Sequence, residues 1–213
     1  MAIKDRKKKE KLQRIQQIQA GARSVFFKKG YQAATMEEIA NRAELSKGTV
    51  YFYFKSKDEL YVSLMIPMIE ELSRLLTKFE KRVVANFYYD SHSFLNGLFE
   101  IFVTLQAGDP EGLRIFQNFQ LNSLFSVMSK ETQIRLKKLG KNNFAILRGS
   151  ISKANKLGLV SKADPVLLAD IIWGLFLGLN QLEDSKSQLS GEYHLTGTLN
   201  YSVKVLSEGL SVD

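Results

Sequence analysis

Apolar residues recur at intervals of three and four positions along most of this 213-residue chain. That spacing puts them on one side of a helix with 3.6 residues per turn, so it predicts amphipathic α-helices. Only three prolines interrupt the pattern, and 45% of the residues are hydrophobic, which is enough for a substantial core. The sequence therefore predicts an all-α protein.

Polar or glycine-containing stretches separate the apolar stripes. Gly30 is expected to end the first helix. Pro67 falls off the stripe of a long helix predicted from residue 58, so a kink is expected there. Residues 183–191 are polar and predict a loop. The stripes cover residues 15–26, 61–79, 93–106, 113–127, 136–154 and 195–210, and a very apolar helix follows Asp164.

Residues 35–57 carry the signals of two short helices joined by a tight turn. Thr35 can cap the first helix, and Glu38, three residues later, completes a capping box. Ser46 can cap a second helix that runs from Lys47 to about Phe52. Such a pair is a helix-turn-helix candidate, and the second helix of that motif lies in the major groove of DNA.

The second helix of this motif carries the candidate DNA contacts. Its N-terminal residues approach base edges, and Thr49 offers a hydroxyl and a methyl group for them. Tyr51 and Tyr53 are assigned to phosphate because phenols on a lysine-lined edge need polar partners. Phe52 and Phe54 are interpreted as core aromatics. The predicted base contacts are Lys47, Gly48 and Thr49, and the predicted phosphate contacts are Thr35, Ser46, Tyr51, Tyr53 and Lys57.

Positive charge is concentrated around this motif. Residues 1–57 contain 14 Lys and Arg against 5 Asp and Glu, whereas residues 58–213 contain 16 against 17. An excess of cations on one module is typical of phosphate binding. Residues 1–11 are nearly all charged and are expected to be mobile or a frayed helix start. They could reach DNA phosphate or the minor groove, or act only as a solubilising tail.

The motif residues follow one another densely between residues 26 and 60. They are Phe26-Phe27-Lys28-Lys29-Gly30-Tyr31, Thr35, Glu38-Ile39-Ala40, Ala43, Ser46-Lys47-Gly48-Thr49, Tyr51, Tyr53-Phe54, Lys57 and Leu60. In this order they resemble the DNA-binding domain of the TetR family of bacterial regulators. That family usually has glycine at the turn, where this chain has Glu44. A left-handed conformation there costs a residue other than glycine on the order of 1 kcal/mol.

The resemblance implies a helical DNA-binding domain, residues 1–57, and a variable helical effector-binding and dimerisation domain, residues 58–213. It also implies a homodimer that binds palindromic double-stranded DNA. A small-molecule effector would release the protein from its operator by shifting the connecting helix. Repression is the common mode of the family, so the chain is interpreted as a cytoplasmic, ligand-responsive transcriptional repressor.

The last two helices are the predicted dimer interface. Trp173, Phe176 and Leu177 are too many large apolar groups for a free surface. Gly174 and Gly178 lie one turn apart and would let another helix approach closely. The alternative, that both helices are monomer core, competes most directly for Trp173. The predicted interface residues are Gly174, Phe176, Leu177, Gly178, Leu199, Val203, Leu206 and Leu210.

A phenylalanine-rich segment between residues 65 and 177 is the predicted effector site. Gln120 and Asn143 lie within apolar stripes, where helix periodicity predicts burial, and a buried amide without partners costs about 1–3 kcal/mol. One interpretation is a pocket for a largely apolar, uncharged or weakly polar molecule, since no arginine lies on these stripes. The other is that both amides are satisfied within an ordinary core. The predicted lining is Phe102, Phe116, Gln120, Asn143 and Trp173.

Other classes of function find little support. The chain has no cysteine, which excludes disulfides and thiolate metal sites. His92 and His194 have no partner at helical spacing, so neither a metal nor a cofactor is expected. No Gly-rich phosphate loop or nucleophile elbow appears, and an enzyme is not expected. A membrane-surface protein is the remaining alternative, but the first helix has a modest apolar face without tryptophan. The apolar run 166–179 is too short to span a bilayer.

Overall fold

The computed structural model describes residues 2–121, 124–161, 163–191 and 194–211, which form ten α-helices and one short 3-10 helix. None of these residues lies in a strand, so the all-α prediction is confirmed. The 3-10 helix, Leu124–Val127, lies between the seventh and eighth α-helices. The helices are α1 (Ala2–Ala33), α2 (Met36–Arg42), α3 (Lys47–Tyr53), α4 (Lys57–Ser63), α5 (Ile66–Val84), α6 (Ser91–Gly108), α7 (Pro110–Leu121), α8 (Lys130–Lys156), α9 (Pro165–Ser190) and α10 (Leu195–Gly209).

The chain divides into two compact units. The first comprises Met1–Ile66 and Arg114–Ile134, and the second comprises Pro67–Leu113 and Arg135–Asp213. The predicted boundary at residue 57 therefore falls inside the first unit. Glu59 on α4 is buried and accepts the Ser129 N–H at 3.1 Å, a contact across 70 residues that local sequence patterns do not reveal.

Close contact between α1 and α2 shapes the first unit. The Gln17 amide donates to the Ala43 carbonyl oxygen at 2.7 Å. A Cβ on Gly21 would lie 3.0 Å from the Ala43 backbone nitrogen, so these helices approach each other where a side chain is missing. Ile39 and Val50 are fully buried, which gives α2 and α3 their inner faces.

The long helix predicted after the motif is two helices, α4 and α5. Pro67 has no N–H to donate to the Ser63 carbonyl four residues earlier, and this interrupts the helix. Side chains of α1 bind the carbonyls freed at the end of α4. Gln19 Nε2 donates to Ser63 at 3.1 Å, and Arg23 Nη2 donates to Leu64 at 2.8 Å. The break therefore costs little hydrogen bonding.

Helix α6 supplies much of the core of the second unit, and α10 packs along it. Asp90 caps α6 in a capping box with Ser93. Near the same end, the Ser91 hydroxyl donates to the Ser207 carbonyl of α10 at 3.1 Å. A Cβ on Gly97 would lie 2.5 Å from the buried ring of Tyr88, so glycine is required at this position.

Helix α9 continues to Ser190, so the loop predicted at residues 183–191 is wrong. Glu183 is fully buried and accepts the Lys186 ammonium at 2.8 Å and the His194 N–H at 2.8 Å. The hydrogen bond from Lys186, and to a lesser extent the one from the His194 N–H, lowers the pKa of Glu183. The stability that these bonds add to the folded state is fully present above the ordinary pKa of glutamate. It is lost as the pH falls through the lowered pKa of Glu183. The buried Glu183 carboxylate thus stabilises the polar residues at the end of α9 in a helical conformation.

By length and composition alone, α9 could cross a membrane. Its segment Pro165–Ser187 has a mean hydropathy of 1.5 and is 23 residues long, because the helix extends well beyond the apolar run seen in the sequence. The expectation that this run is too short to span a bilayer therefore does not hold for the helix. One such helix is weak evidence, since core helices of soluble proteins have the same composition. Only 28% of the most apolar part of this helix is buried, however, so much of its apolar surface is exposed to solvent in the single chain.

Candidate nucleic-acid interface

The caps predicted for α2 and α3 are confirmed. The Thr35 hydroxyl accepts the Glu38 N–H, and the Glu38 carboxylate accepts the Thr35 N–H, which completes the capping box. Ser46 Oγ accepts the Thr49 N–H at 3.1 Å and begins α3. Glu44 in the turn has φ 55°, the left-handed conformation expected where glycine is missing. These local signals fix the direction of α3.

The exposed face of α3 consists of Lys47, Gly48, Tyr51 and Phe52. Phe52 is 72% exposed, so its interpretation as a core aromatic is wrong, whereas Phe54 is buried as expected. Positions 48 and 52 are four residues apart and share one helix face. The four-residue spacing from Gly48 could therefore have placed Phe52 on the exposed face. The aromatic composition of this short helix concealed it, because Tyr and Phe residues occur on every side.

The polar groups beside this face are partly engaged with one another. Thr49 Oγ1 lies 2.8 Å from Ser46 Oγ and is only partly exposed. The Lys47 ammonium lies 3.4 Å from the Glu37 carboxylate, with both side chains largely in solvent. Such an exposed ion pair contributes little to stability, so the Lys47 ammonium is available to bind a phosphate in place of the Glu37 carboxylate. Tyr53 is partly exposed, and its ring packs edge-on against Phe52 at 5.2 Å.

Lys57 has a different environment from the one expected for a phosphate contact. Its ammonium donates to the carbonyl oxygens of Tyr31 at 2.9 Å, Gln32 at 3.2 Å and Ala34 at 3.0 Å. It also lies over the Tyr31 ring, 4.6 Å from the centroid. An ammonium has three donors, and all three are used here. Lys57 therefore joins α4 to the end of α1.

The five residues predicted to line the effector site are divided between the two units. Phe116 and Gln120 belong to the first unit, and Phe102, Asn143 and Trp173 to the second. Gln120 is exposed, so its expected burial is wrong. Asn143 is buried, but its Oδ1 accepts the Ser73 hydroxyl at 2.5 Å and its Nδ2 donates to the Ile69 carbonyl at 3.3 Å. Asn143 thus follows the interpretation of an amide satisfied within the core.

An aromatic cluster occupies the second unit, comprising Phe102, Phe144, Trp173 and Phe176. The rings of Phe102 and Phe176 stack with centroids 4.4 Å apart. The Trp173 ring lies 6.0 Å from Phe102 and 6.2 Å from Phe144. Phe102 and Phe176 are fully buried, whereas Trp173 and Phe144 are partly exposed, so the cluster runs from the core to the surface.

An arginine borders this aromatic cluster, contrary to the expectation from the stripes. The Arg148 guanidinium lies over the Phe144 ring, 5.3 Å from its centroid, and its Nη2 lies 3.5 Å from the Asp170 carboxylate. Its Nε is buried and has no hydrogen-bond partner within the described chain. Residues 144 and 148 are four positions apart on α8, a signal that the sequence contained. The surface end of the cluster therefore offers a cation to an anionic group.

The residues predicted for the dimer interface fall into two groups. Phe176, Leu199 and Val203 are buried within the single chain, so they cannot meet a partner, and the prediction is wrong for them. The remaining residues are exposed or partly exposed: Gly174, Leu177, Gly178, Leu206 and Leu210. The exposed large apolar side chains of these two helices are Val166, Leu167, Ile171, Leu182, Leu189, Tyr201 and Val205.

The described residues contain no group of three or more His, Asp or Glu that could hold a metal ion. His92 Nδ1 lies 3.4 Å from the Ser207 hydroxyl, and the His194 N–H binds Glu183. Both histidines therefore make contacts within the second unit.

Comparison with known proteins gives one consistent picture. Residues 18–64 match the family model described as bacterial regulatory proteins, tetR family. The chain is 26% identical over 162 residues to the uncharacterised HTH-type transcriptional regulator YhgD of Bacillus subtilis, covering 76% of this chain and 79% of YhgD. These relatives are transcriptional regulators rather than enzymes.

Two solved structures share the fold along nearly the whole chain. The fatty acid degradation regulator FadR of Bacillus halodurans superimposes with a TM-score of 0.65 at 22% identity, covering 91% of this chain and 94% of FadR. FadR of B. subtilis, solved in complex with stearoyl-CoA, superimposes with a TM-score of 0.63 at 21% identity, covering 91% and 98%. At these identities the likeness concerns the fold alone.

Proposed function

We propose, because this chain belongs to the tetR family of bacterial regulatory proteins, that it is a dimeric transcriptional repressor that a small acyl compound releases from a palindromic operator. Membership of the family makes it a DNA-binding, helix-turn-helix transcription regulator. Regulators of this family bind DNA and small-molecule effectors and are dimeric. Repression, the acyl effector and a cytoplasmic location are our inferences for this chain.

The observation that carries the DNA-binding proposal is the exposed face of α3. Lys47, Gly48, Tyr51 and Phe52 point into solvent from a helix whose other side is held by buried Val50 and Phe54. Gly48 lets the backbone approach a base edge closely. In our proposal Lys47 and Tyr51 bind phosphate or base acceptors, and the Phe52 ring contacts a thymine methyl group. Thr35, Ser46, Thr49 and Tyr53 line the rim of this contact.

Replacing Phe52 by alanine should weaken binding to the selected operator and leave nonspecific binding unchanged. A good base contact is worth about 1–3 kcal/mol, which corresponds to a loss of roughly 5- to 150-fold. An aromatic ring neutralises no phosphate, so the salt dependence should also stay the same. The measurement is fluorescence anisotropy with a duplex that the full-length protein selects from a random library, and with an unrelated duplex.

Phe87→Ala is the matched control for this substitution, because Phe87 is 63% exposed but lies in the second unit. It should leave both affinities unchanged. An equal loss on the selected and unrelated duplexes would remove Phe52 from base recognition. Failure of the unmodified protein to enrich any sequence would reject the operator itself.

The effector proposal rests on the aromatic cluster and Arg148 in the second unit. Partly exposed Trp173 and Phe144 offer an apolar entry, and the Arg148 guanidinium lies beside them with an unpartnered Nε. Ligand sites typically combine an apolar lining with a few polar groups that fix the orientation. An acyl chain with an anionic head matches this combination, and the stearoyl-CoA complex of B. subtilis FadR supports that class of effector.

Stearoyl-CoA should release the selected duplex and quench Trp173 fluorescence over the same concentration range. Free coenzyme A should do neither, because it has no acyl chain to occupy the aromatic cluster. Arg148→Gln should shift both curves by roughly 10- to 150-fold, since hydrogen bonds to charged groups contribute about 1.5–3 kcal/mol. Arg135→Gln is the control, because Arg135 lies on the same helix and is paired with Glu70.

The titration separates the two parts of the proposal. If stearoyl-CoA and stearate leave both signals unchanged while specific DNA binding persists, the effector is not an acyl compound. If the fluorescence changes without release of DNA, the cluster binds acyl chains but does not control the operator.

A further inference from the structure

Residues 2–14 form a basic stretch at the start of α1. Residues 2–14, which we call the basic arm, contain seven Lys and Arg against two Asp and Glu. Every side chain from Asp5 to Arg14 is exposed. The arm is helical from Ala2 onward, which replaces the expectation of a mobile segment, and Arg6 pairs with Glu10 at 2.9 Å. Between Asp5 and Arg14, therefore, no side chain is buried against the first unit.

The position of the arm follows from contacts of α1 within the first unit. Gln17 binds the Ala43 carbonyl, at the end of α2, and Gly21 packs against the same residue. Further along α1, Lys29 donates to Glu38 near the start of α2, so α1 and α2 run antiparallel here. The arm therefore extends past the turn that precedes α3. Thirteen helical residues span about 20 Å, and they leave from the end of the first unit where α3 begins.

The charge of the arm is unfavourable in the free protein. Neighbouring lysines repel one another, and cations at a helix N-terminus oppose the helix dipole. A helix that has this charge, and buries no apolar surface to offset it, is stabilised by a nearby polyanion. The low apolar content of the exposed face distinguishes it from a helix that lies in a membrane surface.

We propose that the basic arm binds the phosphates of DNA outside the half-site read by α3. This inference rests on the proposed operator binding and adds a second contact to it. The helical conformation excludes the minor groove, which is about 6 Å wide, because a helix with its side chains is about 10–12 Å across. The arm lies along the phosphate backbone and reaches about six base pairs beyond the contact of α3. It adds affinity without reading sequence.

Removing three charges from the arm tests this proposal. In the full chain, the K7Q/K8Q/K9Q variant should bind the selected duplex with a salt dependence whose slope is smaller by about 2–3 for each bound arm, because each neutralised phosphate contributes about 0.9. The unmodified protein should bind a duplex extended by about six base pairs on each side more tightly than a trimmed one. The variant should bind both equally. Gln is a good helix former and removes repulsion between the lysines, so the Tm of the variant should not fall.

Two further variants separate arm binding from general charge effects. K138Q/K141Q/K156Q removes the same charge from exposed positions of α8 in the second unit and should keep the original slope and the preference for extended DNA. K7R/K8R/K9R retains the charge and should behave as the unmodified protein, even if the glutamine variant fails to fold. If the glutamine variant keeps the original slope and preference, or the arginine variant loses them, the arm does not bind flanking DNA. If the unmodified protein selects no duplex, the operator proposal has failed instead.

Discussion

Replacing Ile171 by glutamate should convert the proposed dimer into a monomer that no longer binds the proposed palindromic operator tightly. Ile171 is 56% exposed on α9, and Leu167, one turn earlier, is 63% exposed. Gly174 and Gly178 continue the same face, and an added Cβ at either would meet no atom within 4 Å. Within the described residues of the single chain, this apolar surface is exposed to solvent. A second copy of the chain is the partner proposed for this surface.

The size of the effect follows from burial of charge. A symmetric interface receives two new carboxylates, and an uncompensated buried charge costs about 3–5 kcal/mol. The dimer dissociation constant should therefore rise by about 1000-fold or more. Sedimentation velocity at micromolar concentration should then show a species of one chain, 24.2 kDa. Because each chain of the proposed dimer would contact one half-site, operator affinity should fall when dimerisation is lost.

Ile134→Glu is the matched control for Ile171→Glu. Ile134 is 67% exposed and belongs to the first unit, outside the proposed interface. This variant should remain a dimer with unchanged operator affinity. A dimeric Ile171→Glu protein would show that another surface holds the two chains together, and an unmodified protein that sediments as a monomer would reject the dimer for this chain.

Local signals gave the most accurate predictions from the sequence. The caps at Thr35, Ser46 and Asp164 involve residues within three positions of each other, so they depend little on the rest of the fold. Glu44 was expected in a left-handed turn because the motif demands one there, and it has φ 55°. Helix types and most helix starts could therefore be predicted without knowledge of the packing.

Choices between two apolar faces could not be made from the sequence. Helix α10 is apolar toward α6 through Leu199 and Val203 and apolar toward solvent through Tyr201 and Val205. Periodicity identifies both stripes, but only tertiary packing decides which one is internal. Phe52 was misassigned for the same reason. The loop predicted at residues 183–191 is wrong because the buried carboxylate of Glu183, held by Lys186 and by the His194 N–H beyond the helix end, stabilises this polar part of α9.

Replacing Phe102 by alanine should cause a large loss of stability in the second unit. The Phe102 ring is fully buried, stacks on Phe176 at 4.4 Å and lies 5.7 Å from Phe99. Truncating such a ring removes its transfer free energy and leaves a cavity, which together cost about 3–5 kcal/mol. For a chain of this length, that corresponds to a fall of roughly 6–20 °C in Tm. Urea unfolding followed by Trp173 fluorescence measures the change directly.

The same measurement distinguishes a packed core from a preformed effector pocket at Phe102. A ring that lined an open pocket would leave little new cavity on truncation, so the loss would stay below about 1.5 kcal/mol. Phe102→Leu conserves more of the volume and should cost less than the alanine variant. Phe87→Ala removes the same ring from a surface position of the same unit and should cost under about 1 kcal/mol. A large loss at Phe102 alone would show that this ring is packed core, and the proposed acyl-chain entry would then be confined to the partly exposed rings of Trp173 and Phe144.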